Sequence, residues 1–271
     1  MILKIFSNVF LGLKGIYNNK RLWFWVKLLL YLDYFKLVIM LLLVITLKKK
    51  INSVRLWSFN YTIYVGNFVT FFYMFNEVFC KSVYSYFRIN SFYDLGTNIG
   101  LVTLWYKYFN RNLKVVTFEP DKYNFKLLLK NIKANHLTNV TVHNIALYNK
   151  KSRASFFTII DDIQNLDSGL TLNQDLPHKT YMVKTDKLSH YIDQNIDLVK
   201  IDIEGAEYAV FEDLFATGKI NRLKNIIFEA HFFNQEQRQK LQILIRNLKK
   251  IGEIKELENS SLTTIFYFSR Q

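Results

Sequence analysis

From Phe92 onward, short apolar runs of strand length alternate with longer segments of helical periodicity. A chain that alternates in this way forms a mostly parallel sheet covered by helices, so we predict an α/β fold of the Rossmann-like type. The predicted strands are 92–95, 115–119, 140–146, 153–159, 197–203, 226–229 and 263–268. The predicted helices are 99–109, 121–135, 206–216 and 235–250.

One long stretch, residues 161–180, shows neither the apolar pattern of a strand nor that of a helix. Irregular segments of this length in compact domains are usually functional loops or disordered tips. We therefore expect its part at 161–168, together with the aromatic-rich stretch 61–73, to be placed to contact a substrate. Aromatic side chains equally suit a hydrophobic core, and that alternative stays open for 61–73.

The first 50 residues are predicted to be helical, with a dense apolar stretch at 22–47 that is closed by Lys48, Lys49 and Lys50. The basic region before the apolar stretch is too long for a cleavable signal peptide. The unbroken apolar run, 37–47, is shorter than the roughly 20 residues of a transmembrane helix. Extending that run backwards includes Asp33 and Lys36, which at i, i+3 can pair on one helix face.

Two interpretations of this segment remain open. It is either bound to a membrane, spanning it or lying in its interface, or it packs as an apolar helix on the protein's own surface. Residues 54–79 alternate β-branched and aromatic positions and are broken by Gly66-Asn67, which predicts strands or a hairpin leading into a short helix. The predicted regions are therefore 1–50, a cover region at 51–90 and the α/β domain at 91–271.

The chain has 271 residues and a formal net charge of +14. Its length suits one α/β domain with an appendage. A basic chain suggests nucleic acid, but nine basic residues and one acidic residue fall within the first 50 positions. Basic residues that flank an apolar helix favour anionic lipid as the partner. The single cysteine, Cys80, excludes an internal disulfide and suits a reducing compartment, so we expect a location on the cytoplasmic side.

A glycine turn follows the first predicted strand of the sheet, in the segment Asp94-Leu95-Gly96-Thr97-Asn98-Ile99-Gly100. Glycine at positions 96 and 100 allows a tight turn and close approach to a ligand, but the third glycine of a dinucleotide fingerprint is missing. The carboxylate of Asp94 would repel phosphates and suits a cationic ligand. Glu119 ends the next strand, where a carboxylate can accept ribose hydroxyls, and Asn144 and Ala146 would border an adenine ring.

With further segments, these residues resemble the FkbM family of methyltransferases. The segments that carry the resemblance are 93–100, 118–121, 124–125, 139–142, 183–188, 199–207 and 228–231, with Val199-Lys200-Ile201-Asp202-Ile203-Glu204-Gly205-Ala206-Glu207 the longest. The resemblance runs from about Val54 to the C-terminus and departs at Thr97, where the family commonly has alanine. It implies a class I methyltransferase fold with a terminal antiparallel hairpin, and methyl transfer from S-adenosyl-L-methionine, usually to oxygen.

The reacting end is predicted at the ends of two later strands. Asp202 and Glu204 are two residues apart, as are Glu229 and His231, so each pair is expected to share a side of its strand. A hydroxyl acceptor needs a general base, for which His231 is the first candidate and Asp202 the second. Asp202 is also expected to bind the cofactor, together with the residues of the glycine turn. Glu204 and Glu229 are then expected to bind the acceptor.

Ordinary roles compete with these assignments. Glu204 could instead interact with the N-terminus of the following helix, Glu207 could be a solvated acid, and His231 could be an exposed turn residue. Asp202, Glu204 and His231 are chemically able to bind Mg²⁺ or Mn²⁺, but their spacing does not demand a metal, and none is predicted.

The sequence favours methylation of a glycan or other small hydroxyl acceptor, with a membrane surface as a further partner of residues 1–50. A nucleic-acid methyltransferase is the first alternative, although the chain lacks an Asn-Pro-Pro-Tyr-like turn. A catalytically inactive nucleotide-binding module and an NAD-dependent oxidoreductase are the others. The sequence leaves the acceptor and the oligomeric state open.

Overall fold

The structure, a computed structural model, describes residues 2–20, 22–81, 83–84, 88–159, 169–170, 178–232, 234–260 and 262–270. The helices are α1 (Ile2–Asn18), α2 (Phe24–Leu47), α3 (Phe68–Phe75), α4 (Leu101–Phe109), α5 (Lys122–Ala134), α6 (Glu207–Ala216) and α7 (Gln235–Lys249). The strands are β1 (Ser53–Leu56), β2 (Tyr61–Tyr64), β3 (Ser91–Leu95), β4 (Lys114–Phe118), β5 (Val140–His143), β6 (Ala146–Leu147), β7 (Ser152–Ile159), β8 (His178–Asp186), β9 (Leu198–Ile201), β10 (Asn225–His231), β11 (Gly252–Asn259) and β12 (Thr263–Arg270).

The chain divides into two compact units. The N-terminal unit consists of Met1–Arg88, Asn98–Arg111 and Tyr123–Thr138. The sheet unit consists of Ile89–Thr97, Asn112–Lys122 and Asn139–Gln271. Each unit therefore gathers segments that are distant in sequence.

A seven-stranded sheet of order β11-β12-β10-β9-β3-β4-β5 lies at the centre of the sheet unit. The five strands from β10 to β5 are parallel, and β12 and β11 extend the sheet as an antiparallel pair. All four residues of β9 are buried, as expected for a central strand covered on both faces. The predicted Rossmann-like class I methyltransferase fold, with its terminal antiparallel hairpin, is confirmed.

A second, three-stranded sheet of order β6-β8-β7 also belongs to the sheet unit. The single strand predicted at 140–146 is wrong, because β5 and β6 lie in different sheets. Between them, the Asn144 side chain donates hydrogen bonds to the carbonyls of Glu119 at 2.8 Å and Pro120 at 3.1 Å. These bonds hold the chain away from a continuous strand.

Strand β8 was not predicted from the sequence. Its first three residues, 178–180, fall within the stretch expected to be irregular, so that expectation is wrong there. Residues 161–168 and 171–177 lie outside the described residues, and so does the predicted role of 161–168 in contacting a substrate. The irregular loop therefore stays a prediction for those positions.

In the N-terminal unit, the predicted hairpin and short helix are confirmed. Strands β1 and β2 pair antiparallel, with Val54 opposite Ile63. Asn67 then begins α3, because its side-chain oxygen accepts hydrogen bonds from the backbone N–H groups of Val69 at 2.9 Å and Thr70 at 3.1 Å. The Asn in the predicted break is thus the cap that turns a strand into a helix.

The apolar stretch near the N-terminus forms α2, a helix of 24 residues. Within the part of the chain that the structure describes, it is the one helix whose length and composition would allow it to cross a membrane. The predicted pairing of Asp33 with Lys36 is confirmed, with 2.6 Å between the carboxylate and the ammonium.

Candidate active site

The turn after β3 requires glycine at position 96. Gly96 has a φ of +73°, and a Cβ atom built on it would lie 1.8 Å from the backbone oxygen of Asp202. The N–H groups of Gly96 and Thr97 donate to the carbonyl of Phe118, the residue before Glu119, at 3.0 and 3.1 Å. The turn is therefore fixed between the ends of β4 and β9.

Thr97 departs from the alanine common in the family, and the structure shows how the turn accommodates it. The Thr97 hydroxyl donates a 2.6 Å hydrogen bond to the carbonyl of Asp94, and the residue is buried. The extra polar group is therefore satisfied within the turn and does not disturb it.

Asn98 and Gly100 belong to the N-terminal unit and lead into α4. Asn98 has a φ of 53°, which asparagine tolerates better than most residues, and its side chain accepts the N–H of Ile99 at 2.8 Å. Gly100 has a φ of +94°, and a Cβ there would meet Leu128 Cδ1 at 2.7 Å. Their roles in binding a cofactor stay predictions.

Glu119 follows β4 and is 5% exposed. Its carboxylate accepts the backbone N–H of Asp121 at 2.9 Å, which fixes the side chain next to the strand end. Asn144 contacts the backbone of Glu119, whereas Ala146 is buried with Phe156 and Val183 in the core of the three-stranded sheet. Asn144 and Glu119 are thus brought together, and Ala146 lies in a different element.

Lys200 is a buried residue of the site that the sequence analysis did not select. It lies on β9 opposite Asp94 of β3. Its ammonium donates to the carbonyl of Gly96 at 2.9 Å and lies 3.0 Å from Asp202 Oδ2 and 3.9 Å from Asp94 Oδ1. One cation therefore ties the glycine turn to the two aspartates, and a lysine within an apolar run was the signal in the sequence.

His231 lies at the end of β10, held between two carboxylates. Its Nε2 is 3.1 Å from Glu204 Oε2, and its Nδ1 is 3.0 Å from Glu207 Oε1. Glu229 Oε1 lies 3.9 Å from the same Nε2. His231 is 4% exposed, so the alternative of an exposed turn residue does not apply.

Glu207 is a second buried residue of the site, for which the sequence suggested only the role of a solvated acid. It is fully buried at the start of α6, so it is not a solvated acid. Its Oε1 accepts the backbone N–H groups of Ile203 and Gly205, each at 3.1 Å, as well as facing His231. Glu207 thereby fixes both the turn that carries Glu204 and the imidazole ring.

The predicted strand at 197–203 ends at Ile201, so strand alternation does not set the directions of Asp202 and Glu204. Glu204 instead has a φ of 55°, in a turn. Asp202 contacts Lys200, whereas Glu204 contacts His231. The turn, rather than a shared strand face, places these two carboxylates.

The environment of this cluster changes its protonation. Burial raises the pKa of Glu204 to about 7, against the opposing effect of His231. Burial and the charge of Asp202 raise the pKa of Glu229 to about 7 as well. Burial lowers the pKa of His231, but Glu204 and Glu207 outweigh it and raise that pKa well above its usual value. The two carboxylates therefore favour the protonated form of the imidazole.

Asp202, Glu229 and His231 also offer ligand atoms within 4.8 Å of one another, a separation that a metal ion could bridge. The ammonium of Lys200 already lies 3.0 Å from Asp202, where it would repel a cation. Both ring nitrogens of His231 already face carboxylates. These contacts argue against metal binding by these three residues. They favour a site in which the same residues form hydrogen bonds and ion pairs with neighbouring side chains.

The aromatic stretch 61–73 is largely core. Tyr61, Phe68, Phe71 and Phe72 are all buried, and Tyr61 donates to the carbonyl of Leu104 at 3.1 Å. Of the two roles left open by the sequence, the structure gives these four side chains that of interior packing.

The sheet order and the carboxylates at its strand ends define an α/β domain of the methyltransferase class. The family model described as the methyltransferase FkbM domain matches residues 94–258. The chain therefore belongs to the FkbM methyltransferase family.

Among solved structures, the methyltransferase FkbM from Methylobacillus flagellatus KT is 17% identical, with a TM-score of 0.49 over 70% of this chain and 46% of that one. This chain thus spans less than half of that protein. Precorrin-6y C5,15-methyltransferase from Geobacter metallireducens GS-15 is 11% identical, with a TM-score of 0.42 over 70% of this chain and 84% of that one. No curated protein matches the sequence significantly.

Proposed function

We propose that this chain transfers a methyl group from S-adenosyl-L-methionine to a hydroxyl oxygen of a glycan or another small acceptor. The observation that carries the proposal is the set of acidic side chains at or next to the carboxyl ends of four neighbouring parallel strands. These residues are Asp94, Glu119, Asp202, Glu204 and Glu229. Bound S-adenosyl-L-methionine would supply a cationic methyl sulfonium, open to in-line displacement.

The chemistry of these residues fits that cofactor. Carboxylates attract a sulfonium and an ammonium group and accept hydrogen bonds from ribose hydroxyls, but they repel the pyrophosphate of NAD. Glu119 is the residue that would accept the ribose hydroxyls. Asp94 and Gly96 would line the turn that holds the methionine part.

Glu229 is the group that accepts the proton of the acceptor hydroxyl. A pKa of about 7 is close to the optimum for a base at neutral pH, because the carboxylate is present yet basic. Its side chain is 20% exposed, so a substrate can reach it. Asp202, the second candidate from the sequence, is occupied by the ammonium of Lys200.

His231, the first candidate from the sequence, acts on this reading as a positioning residue. A protonated imidazole donates from both nitrogens, here to Glu204 and Glu207. It thereby holds Glu204 in place to bind the acceptor and limits the negative charge around Glu229. Glu207 in turn fixes the ring.

The test is transfer of tritiated methyl from S-adenosyl-L-methionine into the separated polysaccharide, small-molecule and nucleic-acid fractions of a cell extract. We expect label in either of the first two fractions, at a rate that rises with pH through about 7. Glu229→Gln should lower kcat by about 10²- to 10⁴-fold. The matched control is Glu236→Gln, an exposed glutamate on α7, which should retain the wild-type rate.

Label confined to nucleic acid would contradict the proposed acceptor. A Glu229→Gln variant with the wild-type rate and pH profile would contradict the proposed base. Neither result would by itself contradict S-adenosyl-L-methionine as the cofactor. Calorimetry tests cofactor binding separately.

A further inference from the structure

Helix α2 has apolar residues on two opposite faces. The inner face is buried and consists of Leu30, Asp33, Tyr34, Leu37 and Leu41. The outer face is exposed and consists of Phe24, Trp25, Leu28, Leu32, Phe35, Ile39 and Leu42. Steps of three or four residues place the outer set on one side of the helix, where it forms a continuous apolar stripe. Such a stripe marks an interaction surface.

The middle of the inner face is bound to other elements of the N-terminal unit. Asp33 is fully buried, and its Oδ2 accepts hydrogen bonds from the backbone N–H and the hydroxyl of Ser58 at 2.9 and 2.8 Å. Tyr34 donates to the carbonyl of Val9 in α1 at 3.1 Å. The middle of α2 is therefore held by the β1–β2 hairpin and by α1.

The hairpin in turn is bound to α5. Asn131 accepts the backbone N–H of Tyr64 at 2.6 Å, and Asn135 accepts that of Thr62 at 2.8 Å. Helix α5 also carries exposed lysines at positions 126, 130 and 133, and the ammonium of Lys130 lies 3.7 Å from the centroid of the Tyr64 ring in the hairpin. The middle of α2 is thus connected, through one hairpin, to a lysine-rich helix.

This connection argues against a spanning orientation. Asp33 lies about 13 Å along the helix from Phe24, at a rise of about 1.5 Å per residue. In a helix that crosses a hydrocarbon core of about 30 Å, that position is near the centre of the membrane. The hairpin and the lysines of α5 would then be drawn towards lipid, where charged groups are unfavourable. A helix that lies flat avoids this, because its inner face stays on the protein.

The residues that flank the stripe fit an anionic surface. Trp23 is 82% exposed and Trp25 is 70% exposed at the start of α2, and tryptophan prefers the membrane interface. Exposed lysines lie beside both ends of the helix. They are Lys20 before the helix and Lys48, Lys49 and Lys50 after it. This charge complements anionic headgroups, which neither a second copy of this basic chain nor a neutral partner would offer.

We propose that α2 lies in the plane of an anionic membrane surface, with its outer stripe inserted at the boundary between headgroups and acyl chains. The N-terminal unit is then a monotopic anchor. This proposal does not depend on the reaction that the sheet unit catalyses.

Vesicle flotation of the full chain tests the surface. We expect the chain to float with phosphatidylcholine vesicles that contain phosphatidylglycerol, and at least tenfold less with phosphatidylcholine alone or in high salt. Phe35→Glu and Ile39→Glu, made separately, should each reduce flotation at least tenfold. Ile243→Glu on α7 is the matched control, since Ile243 is 55% exposed and Ile39 is 59% exposed. This control should float like the wild type.

Flotation that both stripe variants retain, or that Ile243→Glu loses equally, would overturn the proposal. So would a chain that does not float but forms a dimer that Ile39→Glu dissociates, because the stripe would then bind a second copy.

Cysteine labelling tests the orientation. Lys20→Cys and Lys49→Cys place thiols before and after α2, while the native Cys80 is fully buried. Right-side-out and inside-out membrane vesicles are prepared from expressing cells. A membrane-impermeant maleimide should label both positions in the same one of these two preparations. Labelling of the two positions from opposite sides would show that α2 spans the membrane and would overturn the in-plane orientation.

Discussion

At the scale of single residues, Gly96 makes the sharpest demand on the sequence. A Cβ atom at this position would lie 1.8 Å from the backbone oxygen of Asp202. A residue with a side chain would also have to adopt the left-handed φ of +73°. We expect Gly96→Ala to weaken binding of S-adenosyl-L-methionine at least tenfold, about 1.4 kcal/mol or more, because the turn and Asp202 must separate. Calorimetric titration of the variant measures the change.

Gly218 provides the matched control. It has a similar φ of +68°, but no atom lies within 4 Å of a Cβ built there. Gly218→Ala should therefore carry only the backbone strain of about 1–2 kcal/mol in the free energy of unfolding, with cofactor affinity unchanged. Equal affinity losses in the two variants would show that close approach is not what position 96 requires.

The sequence identified most of the candidate residues but not their pairings. Acidic residues and histidine at strand ends are typical of binding and catalytic sites. This pattern singled out Asp94, Glu119, Glu204 and His231. The partner of Asp94 is Lys200, and that contact depends on β3 and β9 being neighbours in a given register. A sequence read one strand at a time does not contain this register, so Lys200 was passed over.

At the scale of elements, the hairpin is held by Asn131 of α5 and by Asn135, which directly follows α5. Asn131 is 1% exposed and donates to the carbonyls of Tyr64 and Ile99 at 3.1 and 2.9 Å, besides accepting the N–H of Tyr64. We expect Asn131→Ala to lower the free energy of unfolding by about 1–3 kcal/mol, because buried backbone groups lose their partners. Denaturant titration measures this loss.

Lys133→Ala is the control on the same helix, since Lys133 is exposed. Its effect should stay within about 0.5 kcal/mol. An Asn131→Ala variant as stable as Lys133→Ala would show that the hydrogen bonds between Asn131 and β2 contribute little to the free energy of unfolding.

The elements that were predicted well are those with a strong local signal. Apolar strands and amphipathic helices after residue 92 fall within a few residues of their predicted ends, and Asn67 begins α3 where the break was seen. Helix α4 starts at Leu101 rather than at 99, because Gly100 before it is left-handed. The break at Asn144 and the strand β8 depend on contacts between distant segments, which periodicity does not report.

At the scale of the whole molecule, the chain belongs to the FkbM methyltransferase family, and burial raises the pKa of Glu204 and of Glu229 in the candidate site. The candidate site contains more acidic groups than basic ones. Two basic side chains, Lys200 and His231, face the carboxyl groups of Asp94, Asp202, Glu204, Glu207 and Glu229. That excess is the physical reason to expect a cationic cofactor. The basic excess of the first 50 residues lies elsewhere in the chain and points to a different, anionic partner.

The central claim is tested most directly by calorimetric titration of the full chain with S-adenosyl-L-methionine and, separately, with NAD. We expect saturable binding of S-adenosyl-L-methionine, about tenfold weaker in Glu119→Gln, and no binding of NAD. Binding of NAD without binding of S-adenosyl-L-methionine would contradict the account.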